Sequence, residues 1–125
     1  MNRPTALESA ALLAISEQLD PGDRESFALQ VAALTVRSRE NTGAGFFTHF
    51  DVDNSSVTNP LPDLRSLSVE AEVEGLSDGL GFILWVKEGR IDFLEGYTFG
   101  PDSTKELDLT TIKFKLIDLK SKYLS

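Results

Sequence analysis

The sequence predicts an α+β fold, with an N-terminal helical pair packed on a mainly antiparallel sheet of about five or six strands. Three observations predict it. Thr5 and Glu8 have capping-box spacing ahead of apolar residues at helical intervals. Apolar and polar or acidic residues alternate strictly through 67–74. Glu88-Gly89 supplies a two-residue turn between two runs of strand formers. At 125 residues the chain is the size of one core, so one domain over 1–125 is expected.

The first helix is expected over about 5–19, where Leu12, Ile15 and Leu19 form an apolar stripe with Ala11 beside it. Asp20-Pro21-Gly22-Asp23 breaks it, and Asp23 is expected to cap a second helix over about 23–34. There Phe27, Val31 and Leu34 share a face, and Ala28, Ala32 and Ala33 permit close packing. The sheet then occupies about 34–117, beginning where Leu34, Val36 and Ser38 alternate.

Thr42-Gly43-Ala44-Gly45 followed by Phe46 to Val52 reads as a hairpin, and 54–62 as a loop. The alternating strand Leu67, Val69, Ala71, Val73 turns Glu70, Glu72 and Glu74 to water. With a two-residue loop between 81–86 and 91–99, Val86 faces Ile91, Leu84 faces Phe93 and Phe82 faces Glu95, with Trp85 opposite Asp92 on the reverse face. Both faces of this hairpin carry apolar residues, which makes it central, with helices over one side. Ile112 to Leu116 alternates again as a last strand before a short polar tail.

Twenty acidic against twelve basic residues give a net charge of −8, which repels nucleic acid and anionic membrane surfaces and favours cationic partners. The charge is concentrated: residues 42–80 carry Asp51, Asp53, Asp63, Glu70, Glu72, Glu74 and Asp78 against Arg65 alone. Carboxylates at period two along one strand repel at roughly 7 Å, a cost that a cationic partner reverses. The chain has no cysteine, which excludes a disulfide framework, a thiolate zinc site and a cysteine nucleophile, and fits a reducing cytoplasm. No secretory signal and no run of transmembrane length is read in it.

Few residues suggest chemistry. His49, Asp51 and Asp53 fall at strand spacing, as a metal site could require, but a solvated strand edge is the favoured reading and no metal or cofactor is expected. Asp51-Val52-Asp53-Asn54-Ser55 starts like a calcium loop and then fails, with Ser56 in place of the turn glycine and Pro62 in place of the bidentate glutamate. Gly43-x-Gly45 and Gly79-x-Gly81 complete no phosphate-binding pattern. Glu95 shares strand parity with Ile91, Phe93 and Tyr97, which makes it a candidate general acid in a pocket between helices and sheet. The favoured reading is structural: Glu95 bonds backbone amides at a bulge near Gly96 or pairs with an arginine.

Two segments carry a resemblance: Ser38-Arg39-Glu40-x-Thr42-Gly43-x-Gly45-Phe46-Phe47, and Gly81-Phe82-x-Leu84 running through Gly89 to Leu94-Glu95-Gly96-Tyr97-Thr98-x-Gly100. Over about half the chain they resemble a family of short, uncharacterised bacterial proteins. Some of these look like immunity proteins encoded beside antibacterial toxins, which implies toxin inhibition and assigns no catalytic residue.

The expected function is therefore a non-catalytic, cytoplasmic protein-binding domain of the immunity type. It would dock a basic partner, such as a toxin, through Asp51, Asp53, Glu70, Glu72, Glu74 and Asp78, with Trp85 or Phe47 as apolar anchor. The alternative is a small enzyme or ligand-binding domain with a pocket at Glu95 and Tyr97. Pairing of sheet edges leaves a homodimer open.

Overall fold

A computed structural model of the chain describes residues 2–117. Two helices, α1 (Ala6–Ser16) and α2 (Pro21–Ala33), precede six strands: β1 (Thr35–Asn41), β2 (Gly45–Asp51), β3 (Val69–Val73), β4 (Leu76–Lys87), β5 (Arg90–Thr98) and β6 (Phe114–Leu116). The strands form one sheet in the order β1-β2-β5-β4-β3-β6, with every neighbouring pair antiparallel. This is the α+β arrangement the sequence predicts, with the β4–β5 hairpin at its centre. The polar tail expected after β6 lies outside the described residues.

Local chemistry sets the helix limits. At α1 the Thr5 hydroxyl accepts the Glu8 amide while the Glu8 carboxylate accepts the Thr5 amide, closing the capping box. α1 ends at Ser16, shorter than expected, yet Leu19 stays in the core through the turn that follows. The cap of α2 is Asp20 and not Asp23: its carboxylate accepts the Asp23 amide, and Pro21, which has no amide to leave unpaired, takes the first helical position. The buried stripe of α2 also differs from the expected one. Ser26, Phe27 and Gln30 face inward, Leu34 is buried as the C-cap, and Ala28, Ala32 and Ala33 are exposed.

One face of the sheet is sealed. Val36, Phe46, Phe50, Val69, Ala71, Leu80, Phe82, Leu84, Ile91 and Leu94 pack there with Leu7, Ala11, Leu12, Ile15 and Phe27 of the helices. The loop through Thr104 closes one end. The Thr104 hydroxyl, fully buried, donates to Asn41 Oδ1 at 2.7 Å and accepts the Gly45 amide at 3.1 Å.

The register of the central hairpin corrects the expected one. Lys87 and Arg90 flank Glu88-Gly89, whose φ values of 52° and 77° make a tight primed turn, and Val86 pairs with Ile91 as expected. Between Val86 and Trp85 the ladder then slips, because Ile91 and Asp92 together oppose one residue. Beyond this bulge Trp85 pairs with Phe93, Leu84 with Leu94 and Phe82 with Gly96. Side chains alternate across a sheet, so one extra residue moves Phe93, Glu95 and Tyr97 to the face away from the helices.

Gln30 holds this hairpin. It is fully buried; its Nε2 donates to the Gly89 carbonyl at 3.0 Å and its Oε1 accepts the Ile91 amide at 2.9 Å. Gln30 thus satisfies the amide at the bulge and shares the turn carbonyl with the Leu61 amide, which donates to it at 3.0 Å. Gly89 has no room for a side chain, since a Cβ there would lie 2.4 Å from Cβ of Pro60.

Gln30→Leu leaves the buried Ile91 amide without that partner, while the Gly89 carbonyl keeps the Leu61 amide at 3.0 Å. It is expected to lower unfolding free energy by about 1–3 kcal/mol. Urea denaturation followed by circular dichroism measures this, and a loss under about 0.5 kcal/mol would show that Gln30 does not pin the hairpin.

Candidate functional site

The face of the sheet away from the helices carries an aromatic array. Register sets it out in three rows across β1, β2, β5 and β4. The first row holds Ser38, His49, Phe93 and Trp85; the second holds Glu40, Phe47, Glu95 and Ile83. The third runs from Gly45 through Tyr97 and Gly81 to Glu70 of β3. His49, Phe47, Phe93, Trp85, Ile83, Glu95 and Tyr97 are all half-buried, and Phe99 is 47% exposed.

The rings pack against one another. Trp85 stacks on Phe93 at a centroid distance of 5.3 Å and an interplanar angle of 14°; Phe47 meets Phe93 edge-on at 5.8 Å, and His49 lies 5.3 Å from Phe93. Tyr97 and Phe99 meet edge-on at 5.2 Å. Gly81 gives them space, because a Cβ there would sit 2.5 Å from Cζ of Tyr97.

Glu95 lies within this array. Phe47 and Ile83 are its cross-strand neighbours, and Phe93 and Tyr97 precede and follow it on the same face of β5. Its Oε1 accepts the Trp85 indole N–H at 3.1 Å. Burial raises the Tyr97 hydroxyl above the usual phenol range, and the Glu70 and Glu95 carboxylates add to the rise. A cation is present as well: the Arg65 guanidinium sits over the Trp85 ring, 5.2 Å from its centroid. Asp63 holds it from below with hydrogen bonds of 2.6–3.0 Å to Nε and Nη2, and that pairing lowers the Asp63 carboxyl to about 2.

The sequence-predicted site residues separate. Trp85, Tyr97, Glu95, Glu70 and Glu72 share the uncovered face, although Glu72 stands in register with Lys115 of β6, which offsets its charge. Glu74 lies in the β3–β4 turn, and Asp78 in the irregular stretch where Ser77, Asp78 and Gly79 oppose Glu72 alone. Both are at the far end of the sheet from Trp85. Asp51 pairs with Arg37 at 3.4 Å, and Asp53 caps the 3₁₀ turn Asn54–Ser56. Among the described residues no group of three His, Cys, Asp or Glu side chains is placed to hold a metal. Glu95 faces away from the helices, so the pocket expected between helices and sheet does not include it. Glu40, Phe93, Phe99 and Arg65 belong to the array and are not singled out by the sequence, because their inclusion depends on the bulge and on loop placement.

Glu8 is the buried carboxylate of a separate polar cluster, 3% exposed beside a cleft of about 270 Å³ lined by Arg39, Asn41, Phe46 and Leu107. Its two oxygens accept four hydrogen bonds: from the Thr5 amide, from Arg39 Nε and Nη2 at 2.9 Å, and from the Thr48 hydroxyl at 2.6 Å. Desolvation pushes its carboxyl up, but these hydrogen bonds together outweigh it and leave the group below the ordinary carboxylate range. A carboxylate with all its acceptor sites filled has none left for a substrate proton. Glu8 therefore ties α1 to β1 and β2.

Comparison with family models, curated proteins and solved structures gives no match to this chain. No helix among the described residues is long and apolar enough to cross a membrane.

Because the folded Glu8 carboxyl titrates below its unfolded value near 4.5, its contribution to stability is complete above that pH. It is lost as pH falls through the folded value. Glu8→Gln is expected to cost about 2–3 kcal/mol at pH 7, a buried-pair loss reduced because Arg39 is one-third exposed. It should also flatten stability against pH below about 4.5. Denaturant titrations at pH 3.5, 5 and 7 read both effects, and an unchanged acid slope would remove Glu8 as its source.

Proposed function

We propose that this protein is a non-catalytic, cytoplasmic protein-binding domain of the immunity type, whose uncovered sheet face docks a basic partner, such as a toxin, and occludes it. One observation carries the reading: among the described residues both helices lie on one side of the six-stranded sheet, and its other side presents Phe47, Trp85, Phe93 and Tyr97 interleaved with Glu40, Glu70 and Glu95.

Contiguous apolar surface rimmed by polar groups is characteristic of interaction sites, and aromatic residues are the usual anchors of such interfaces. The carboxylates among the rings select for positive charge and disfavour nucleic acid and anionic lipid. They also set two copies of this face against each other by like-charge repulsion, so a homodimer would have to form elsewhere. The acidic surface of this reading is not the whole 42–80 segment but Glu70 and Glu72, joined by Glu40 and Glu95 from other strands.

The test is calorimetry against the product of the adjacent gene, with Glu70, Glu72 and Glu95 changed together to lysine. Binding at low salt that weakens about a hundredfold in the triple variant is the expected result, with the variant's circular dichroism unchanged. Binding indifferent to the triple change would place the interface elsewhere.

A further inference from the structure

We propose that the Trp85–Glu95 centre of this face is a receptor for one arginine side chain of the partner, and that Arg65 occupies it as an internal stand-in until the partner arrives. The inference rests on the docking reading above and specifies the chemistry of the residue that docks.

Three features of the site converge on a guanidinium. Glu95 is a half-buried carboxylate flanked by Phe47, Ile83, Phe93 and Tyr97, so a cation that reaches it meets a negative charge with apolar side chains beside it. Its Oε1 is oriented by the Trp85 indole, the one side chain among the described residues that donates to Glu95. Beside it the indole offers a π surface, held flat by stacking on Phe93. A planar guanidinium can stack on the ring and donate to the carboxylate at once, whereas an ammonium is a strongly hydrated point charge with no face to stack.

The stacking half of this fit is made by the chain's own Arg65, whose guanidinium lies over Trp85. Its hold on the site is light. Arg65 pairs with Asp63 and not with Glu95, its side chain is 55% exposed, and it stands in the loop between β2 and β3. An incoming arginine that engages both Trp85 and Glu95 makes a hydrogen bond that Arg65 does not. It therefore displaces Arg65, which keeps Asp63 as its counter-ion.

Trp85 is the only tryptophan of the chain and reports directly on this site. The probes are tetra-arginine and tetra-lysine peptides, titrated at low salt against the intact protein and followed by Trp85 fluorescence. Expected are saturable quenching by tetra-arginine, at least about fivefold tighter binding than tetra-lysine, and about a tenfold loss of tetra-arginine affinity in Glu95→Gln, the size of one charge-assisted hydrogen bond. Arg65→Gln, an exposed change, should raise tetra-arginine affinity more than tetra-lysine affinity. Equal affinities for the two peptides, or no effect of Glu95→Gln, would overturn the inference. If the Glu70, Glu72, Glu95 lysine variant still loses the partner in that case, the docking face stands without an arginine receptor. If it keeps the partner, the docking reading falls too.

Discussion

The Ile91 amide and the Gly89 carbonyl both point at Gln30, and the arrangement of the whole sheet follows from how that side chain answers them. The turn Glu88-Gly89 starts the hairpin in register, and the bulge then adds one residue to β5. A continuous ladder would have buried Phe93 and Glu95 under the helices. The bulge instead gives Leu94 and Gly96 to the core, with Gly96 opposite Phe46 and Phe82. A bulge leaves ladder groups unpaired, and the low-dielectric interior makes such groups costly. Gln30 satisfies the Ile91 amide from α2, so the helix stabilises the irregularity, and the irregularity sets which side chains share the face.

Glu8 plays the corresponding part at the other end. It joins the cap of α1 to Arg39 of β1 and Thr48 of β2. Each helix is thus pinned to the sheet by one buried polar side chain in addition to apolar packing. Apolar contact alone is non-directional, whereas these hydrogen bonds have one geometry and specify where each helix sits. Both helices lie on the same side, and among the described residues no helix covers the other.

That other side interleaves aromatic rings with carboxylates. Its rings are half-buried by one another, which limits the cost of exposing them, and the carboxylates between them keep the patch hydrated and negatively charged. The Asp63–Arg65 arm covers part of Trp85 with a cation of the kind the face would attract.

The sequence by itself determined the helical pair, the hairpins and the alternation of β3, because these depend on residues a few positions apart: a cap and its third neighbour, a two-residue turn, a period of two. It also marked Trp85, Tyr97, Glu95 and Glu70 as residues of interest. Only the tertiary structure decided that they share one face. Parity read along a strand holds until one extra residue reverses it, and the group that stabilises the bulge, Gln30, lies about sixty residues earlier in the chain. The same limit applies to charge. The acidic run of 42–80 is contiguous in sequence, yet the fold sends Asp51 to Arg37, Asp53 to a cap and Asp63 to Arg65, while it brings Glu40 and Glu95 in from other strands beside Glu70 and Glu72. Which charges act together is a matter of distance in space, and that is set by strand order and register.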